Sequence, residues 1–394
     1  MVRCMERAPV KDNQADSDGM YVDVNGRRLR CGHTTGTCAA AASKMAAYIL
    51  LGGEAGPTVD VVTPNGARLT LGVEDVRVSA DAVSCAVRKD GGDDIDATHG
   101  MLIYSTVARR ADGRVVVEGG EGIGRVTRGG LDQPVGEAAI NSVPRRMITE
   151  ALEWARSELG HPGGLTATIS APEGEAVSKR TFNPRLGIVG GISIIGTSGI
   201  VEPMSERALV DTIGVELRVR RAAGDDYVLV VPGNYGKDFW EGSEGAEGGD
   251  AVKCSNFVGD TIDMAALLGF KGLLLVGNLG KAVKLAGGVM NTHSRWADCR
   301  MEILSANSAL AGAGPGVVGR IMSCVSTDEA LDVLKGEGLM EATMGNVMAR
   351  IAHHLSYRAG GMQAECIVFS TAHGRLGATP GADGLAERIR GQAR

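Results

Sequence analysis

Six consecutive residues, Asn291-Thr292-His293-Ser294-Arg295-Trp296, carry only side chains that can hydrogen-bond. An ordinary connecting loop does not need that density of donors and acceptors, so this run is expected to face a ligand. Three glycine turns invite the same reading: Gly196-Thr197-Ser198-Gly199, Gly233-Asn234-Tyr235-Gly236 and Gly277-Asn278-Leu279-Gly280. Glycine lets backbone approach a ligand closely, and polar residues such as Ser198, Asn234 and Asn278 stand inside each turn. Further up the chain, Thr34, Thr35 and Thr37 precede an alanine-rich stretch. One N-cap needs one hydroxyl. The three together read either as a plain cap with close packing or as a helix start that binds an anion. Arg145 and Arg146 fall in the first turn of another helix, against its macrodipole. Either an anion sits between them, or they extend into water or pair with Glu137 or Glu150.

The elements that must position these groups change character along the chain. Residues 1–22 are polar and are expected to be a disordered tail. From 23 to about 186 an alanine-rich helix, ended by Gly52-Gly53, is followed by short β segments without intervening helices. Among these, Thr58 to Thr63 and Ala67 to Val73 flank Pro64-Asn65-Gly66, a hairpin signal. The expectation is an α+β domain with a largely antiparallel sheet. From 187 onward, strands alternate with helices: Ile192 to Ile195, Tyr227 to Val231 and Leu273 to Val276 are apolar runs, each followed by one of the glycine turns. Such alternation predicts an α/β domain over 187–394 with a mostly parallel sheet. The three turns would then lie along one edge of it and border one crevice. Gly242 to Asp250 is acidic and glycine-rich, a loop that could serve as a lid, and the tail beyond Gly374 is expected to be loosely held.

Composition excludes several classes of function. A net charge of −6 gives no bulk basicity to hold nucleic acid or an anionic membrane. Aromatic residues at 4% leave few stacking platforms for single strands. None of the eight cysteines forms a CxxC pair, which argues against a zinc knuckle or a thioredoxin-type centre and for reduced, mostly buried thiols. No apolar run is long enough to span a bilayer and the N-terminus lacks a signal-peptide core, so a cytoplasmic protein is expected. Whether it forms a homo-oligomer is left open.

The segments LRCGHTTGTCAAAASK, GGLDQPVGEAAINSVPRRMI, GISIIGTSGIVEPMSERAL, VPGNYGKDF and GFKGLLLVGNLGKAVKLAGGVMNTHSRWADCRMEIL occur in register from about residue 26 to 370. Together they resemble the CbiD family, the cobalt-precorrin-5B C1-methyltransferases of anaerobic cobalamin biosynthesis. Two positions depart from the family pattern: His33 stands where Tyr is common and Asn278 where His is common, so no role needing an imidazole at 278 is carried over.

The resemblance implies a Rossmann-like second domain. It also implies transfer of a methyl group from S-adenosylmethionine to ring carbon 1, with cobalt arriving inside the substrate and no protein metal site. On this reading the turns at Gly233 and Gly277, with Asn234, Gly236, Asn278 and Gly280, hold the donor. Thr34, Thr35, Thr37, Arg145, Arg146, Ser198, Lys281, Lys284, Asn291, Thr292 and Arg295 face the macrocycle and its carboxylates. Arg180, Arg185 and Arg300 are further clamp candidates. His293 would be a general base or an orienting hydrogen bonder, or a structural residue tying two loops. Asp298 would orient it or cap the next helix. The competing reading is a non-catalytic carrier of a cobalt tetrapyrrole. A phosphotransferase is weaker, because no GxxxxGK[ST] occurs in the chain.

Overall fold

The computed structural model describes residues 20–243 and 251–392. Most of the expected N-terminal tail and most of the Gly242 to Asp250 loop lie outside the described residues. The end of the supposed tail is ordered, however: Tyr21–Val24 pairs antiparallel with Arg27–Arg30. The chain divides into two compact units after Ser205.

In the first unit, helix α1 (Thr35–Leu50) buries Ala39 to Ala42, Ala46 and Ala47. Side chains this small let α2 (Ser142–Glu158) and a sheet close in on it. That sheet comprises β1 (Glu74–Val78), β2 (Ala82–Arg88), β3 (Leu102–Arg110), β4 (Val115–Gly119) and β5 (Gly164–Ser170), in the order β1-β2-β3-β5-β4. Every pairing is antiparallel except β5 with β4, whose crossover contains α2. The hairpin at Asn65-Gly66 forms as expected, with Thr58–Val62 against Arg68–Gly72.

The boundary expected near 186 lies later in the structure. Ile188–Val189 pairs with Arg125–Val126, Ile192 and Ile194 bridge to Ile123 and Ile140, and Ile200–Val201 pairs with Gly32–His33. The apolar residues of 188–201 thus complete the first unit, and the expected strand at Ile192 does not open the parallel sheet.

The second unit holds α3 (Glu206–Ala222), β6 (Tyr227–Val231), α4 (Asn234–Ser243), β7 (Val252–Lys253), α5 (Val258–Leu267) and β8 (Gly272–Asn278). There follow α6 (Arg300–Leu310), α7 (Pro315–Met322), α8 (Thr327–Gly336), α9 (Met340–Ala359), β9 (Gln363–Ser370), β10 (Gly374–Ala378) and α10 (Ala382–Gln392). The sheet order is β7-β6-β8-β9-β10, parallel except for β10. Alternation along β8 explains the layers. Leu273 and Leu275 join the cluster with Ile262 of α5 and Ile351 of α9, while Leu274 and Val276 join Trp240 of α4 and Leu385 of α10. The segment beyond Gly374, expected to be loose, is instead an edge strand and a helix that buries Leu385 and Ala386. No helix among the described residues is long and apolar enough to cross a membrane.

Candidate functional site

The carboxyl ends of β6 and β8 are neighbours, since Val230 pairs with Leu275. From β6 the chain leaves through α4 to β7 on one side. It returns through α5 to β8 on the other. Loops that depart in opposite directions leave a crevice at such a switch point, where open α/β sheets bind ligands. Two of the three glycine turns stand there. The third, Gly196 to Gly199, belongs to the first unit, so the single edge expected for all three does not exist.

The glycines of these turns serve different needs. A Cβ on Gly196, at φ +150°, would lie 2.2 Å from Thr34 Oγ1, and one on Gly236 would lie 2.6 Å from the Val276 carbonyl oxygen. Internal packing accounts for both. At Gly233 a Cβ would meet nothing within 4 Å. At Gly277 it would make only ordinary contacts, 3.5 Å to Ala282 and 3.7 Å to Pro232. Neither packing nor backbone conformation demands glycine at these two positions.

Several residues expected to touch a ligand are engaged inside the first unit. Thr34, Thr35 and Thr37 are buried. Thr34 Oγ1 accepts from Thr37 N (3.2 Å), Thr35 Oγ1 accepts from Ile195 N (3.0 Å), and Thr37 Oγ1 donates to Gly199 O (2.8 Å). Gly36 N donates to Ile195 O. The start of α1 is therefore covered by residues 195–199 rather than open to an anion. Ser198 Oγ closes its own turn on Ile200 O. Arg145 donates from Nε to Ile140 O and from Nη1 to Val117 O, each at 2.9 Å. It acts as a tie between β4 and the residues before α2. Arg146 is exposed, 3.8 Å from Glu150.

The polar run 291–296 folds largely on itself. Thr292 is buried, with N bonded to Asn256 O and Oγ1 3.3 Å from Asn256 Oδ1. Lys284, 3% exposed, donates to Thr292 O (3.1 Å) and Ala297 O (2.8 Å) and so pins both ends of the loop. Asn291 Oδ1 accepts from His293 N at 3.1 Å. His293, Ser294, Arg295 and Trp296 are exposed. His293 Nδ1 accepts from Arg295 N at 3.1 Å, so in the neutral ring the proton sits on Nε2 and the outward edge donates. Asp298 neither orients His293 nor caps α6. It pairs with Arg300 at 2.5 Å, which holds its carboxyl below the usual range, and the α6 cap position is Cys299. An open groove of about 370 Å³ adjoins this pair, lined by Met301, Glu302, Met322, Cys324 and Val325.

Lys253 and Ser255 went unrecognised in the sequence, because β7 is too short to show a period; yet both border the same edge. Lys253 Nζ donates to Asn234 Oδ1 at 2.6 Å, and Lys281 Nζ to Ser255 O at 3.4 Å. The tip of β9 was missed as well. Ser370 Oγ donates to Asp328 Oδ1 (2.7 Å) and accepts from Ala372 N, and His373 Nε2 lies 3.2 Å from Asp332.

The family model described as CbiD matches residues 22–203, and that described as CbiD, C-terminal domain, matches 291–380. The chain belongs to the CbiD family. The cobalt-precorrin-5B C(1)-methyltransferase of Ruminiclostridium cellulolyticum is 49% identical over 339 residues, 86% of this chain and 88% of that protein. The protein of the same name from Photorhabdus laumondii is 42% identical over 381 residues, 95% and 100% of the two chains. A crystal structure of cobalamin biosynthesis protein (cbiD) from Archaeoglobus fulgidus is 26% identical and covers 75% of this chain and 94% of that one, with a TM-score of 0.40.

Proposed function

We propose that the chain is a cobalt-precorrin-5B C1-methyltransferase that uses S-adenosylmethionine and acts in the cytoplasm on a cobalt-containing tetrapyrrole. We place the donor at the crevice between the tips of β6 and β8, in a second unit read as Rossmann-like. The observation that carries this placement is that Gly277, and Gly233 apart from its capping of α4, are glycines that neither packing nor a left-handed backbone requires. A ligand passing over both supplies the missing reason.

Bound S-adenosylmethionine supplies an electrophilic methyl group, and the electron pair of the broken S–C bond stays with sulfur. The chain's residues have three tasks. The turns at Gly233 and Gly277 fix the donor by backbone contact, so that the acceptor carbon meets it in line, and such positioning accounts for much of the rate. Arg295, on an exposed face of the second unit, offers a guanidinium to a carboxylate of the macrocycle. His293 orients a substrate oxygen through its Nε2–H rather than removing a proton. The proton displaced as the new C–C bond forms leaves to solvent.

The test is anaerobic incubation of the chain with cobalt-precorrin-5B and methyl-labelled S-adenosylmethionine, following label into the macrocycle and formation of S-adenosylhomocysteine. Calorimetry with S-adenosylmethionine alone separates this reading from a carrier: saturable binding is expected of the enzyme. No binding and no label transfer would leave the carrier.

A further inference from the structure

The hydrogen bonds at the β6–β8 crevice fix its polarity. Asn234 Oδ1 accepts from the Lys253 ammonium at 2.6 Å, and Asn278 Oδ1 accepts from Gly280 N at 3.0 Å. An ammonium and a backbone N–H can only donate, so each amide has its oxygen engaged and its NH2 turned outward. Neither NH2 meets an acceptor among the described residues. Lys281 contributes a third donor. Its half-buried ammonium reaches one carbonyl, that of Ser255, at 3.4 Å, the outer limit of a hydrogen bond.

Ser255 follows β7, and β6 lies between β7 and β8, so the Lys281 side chain spans the tip of β6. Ser255 itself stands at φ 52°, a left-handed conformation unusual for a residue with a side chain. The charged neighbour of Lys281 is another cation, Lys284, and no carboxylate of the described residues pairs with it. Burial accordingly lowers its pKa. Lys281 thus stands half-buried with one long hydrogen bond and no carboxylate partner among the described residues. At the same rim stand two amides, the exposed Asn234 and the partly buried Asn278, whose NH2 groups have no protein acceptor among those residues.

We propose that this rim is a carboxylate-recognition site, in which Lys281 and the amide NH2 groups of Asn278 and Asn234 grip a carboxylate of the bound small molecule. The proposal rests on the methyltransferase reading and specifies which chemical group is held there. Two sources share that chemistry: the amino-acid carboxylate of the methyl donor and the acid side chains of the macrocycle. Asn278→Asp is the informative variant. It keeps the oxygen that accepts from Gly280 N but replaces the outward NH2 by a negative charge. Lys281→Met removes the cation.

Titration calorimetry on the full chain uses three probes: S-adenosylhomocysteine, 5′-deoxy-5′-methylthioadenosine, which lacks the amino acid, and cobalt-precorrin-5B under anaerobic conditions. If the donor carboxylate is held, both variants bind S-adenosylhomocysteine at least tenfold more weakly and methylthioadenosine as before. If the macrocycle carboxylate is held, the tenfold loss appears with cobalt-precorrin-5B instead. Wild-type affinity of both variants for every probe overturns the proposal while leaving the methyltransferase reading standing. Failure of the unaltered chain to bind any of the three overturns both. Urea unfolding of each variant confirms that it folds, and N278D suffices should K281M not.

Discussion

Replacing Gly233 and Gly277 by alanine, one at a time, separates a ligand's demand for glycine from the fold's. At Gly233 the new methyl meets no atom within 4 Å, and the backbone is not in the left-handed region. Gly233 O accepts from Gly236 N, so the residue acts as the cap of α4, where alanine is poorer than glycine by up to about 1 kcal/mol. At Gly277 the methyl would fill space between Ala282 and Pro232 at ordinary contact distances. Reduced freedom of the unfolded chain favours that variant by about 0.5–1 kcal/mol. Stability should therefore change by no more than about 1 kcal/mol in either case, read by urea unfolding. If the donor lies on these tips, the same methyl is an overpacking of about 1–3 kcal/mol against the ligand. That is about 5- to 150-fold in the Kd for S-adenosylhomocysteine, read by calorimetry. Gly236→Ala is the contrast. Its methyl would meet the Val276 carbonyl at 2.6 Å, so it should lose stability by about 1–3 kcal/mol without any ligand. Full affinity in both G233A and G277A would refute the placement of the donor. Affinity lost only in step with stability would refute the claim that the fold tolerates alanine there.

Arg145→Met should cost about 1–3 kcal/mol in urea unfolding, since it strands the Ile140 and Val117 carbonyls, while leaving affinity for S-adenosylhomocysteine unchanged. His293→Ala should lower kcat/KM by less than about tenfold, because the ring donates rather than accepts at its outer edge; a loss of about 100-fold in the methylation assay would restore it as a general base. Hydrogen bonds from the Arg30 guanidinium, one of 2.9 Å, hold the Asp90 carboxyl down to about 2. A depressed carboxyl stabilises the fold above its unfolded pKa, about 4, and the contribution is lost as pH falls through 2. With Asp90 35% exposed, solvent screening reduces the effect to about 1 kcal/mol. Unfolding in urea at about pH 5 and about pH 2.5 should show that increment in the natural chain and not in Asp90→Asn.

How far the sequence could be read depended on the range over which each signal acts. The Asn65-Gly66 hairpin, the parallel sheet behind the alternating runs, and the antiparallel sheet ahead of it follow from local period and turn chemistry. They are present as expected. The partners of Ile188 to Val201 were not legible, because an apolar pair of residues carries no address. Those partners lie far upstream, at Gly32–His33 and Arg125–Val126. Short β7 and the helices α7 and α8 gave no period long enough to place.

Density of polar side chains marked Thr34 to Thr37, Arg145 and Asn291 to Trp296 alike, but it has two physical sources: a ligand, or backbone groups of the same unit that need partners. Distinguishing them requires knowing which carbonyls lie within 3 Å, and that is set by contacts distant in sequence. Thr37 reaches Gly199, 162 residues away, and Arg145 reaches Val117 across 28. The threonines and Arg145 prove to serve the backbone. Glycine carries the same ambiguity, resolved in the same way. Gly196 and Gly236 are glycine because a neighbour occupies the place of a Cβ, whereas Gly233 and Gly277 have room for one. Gly277, with room to spare at a strand tip and no capping role, next to amides whose oxygens are held by donor-only partners, answers a need the polypeptide does not itself create. That surplus is the physical argument for a ligand at the β6–β8 crevice.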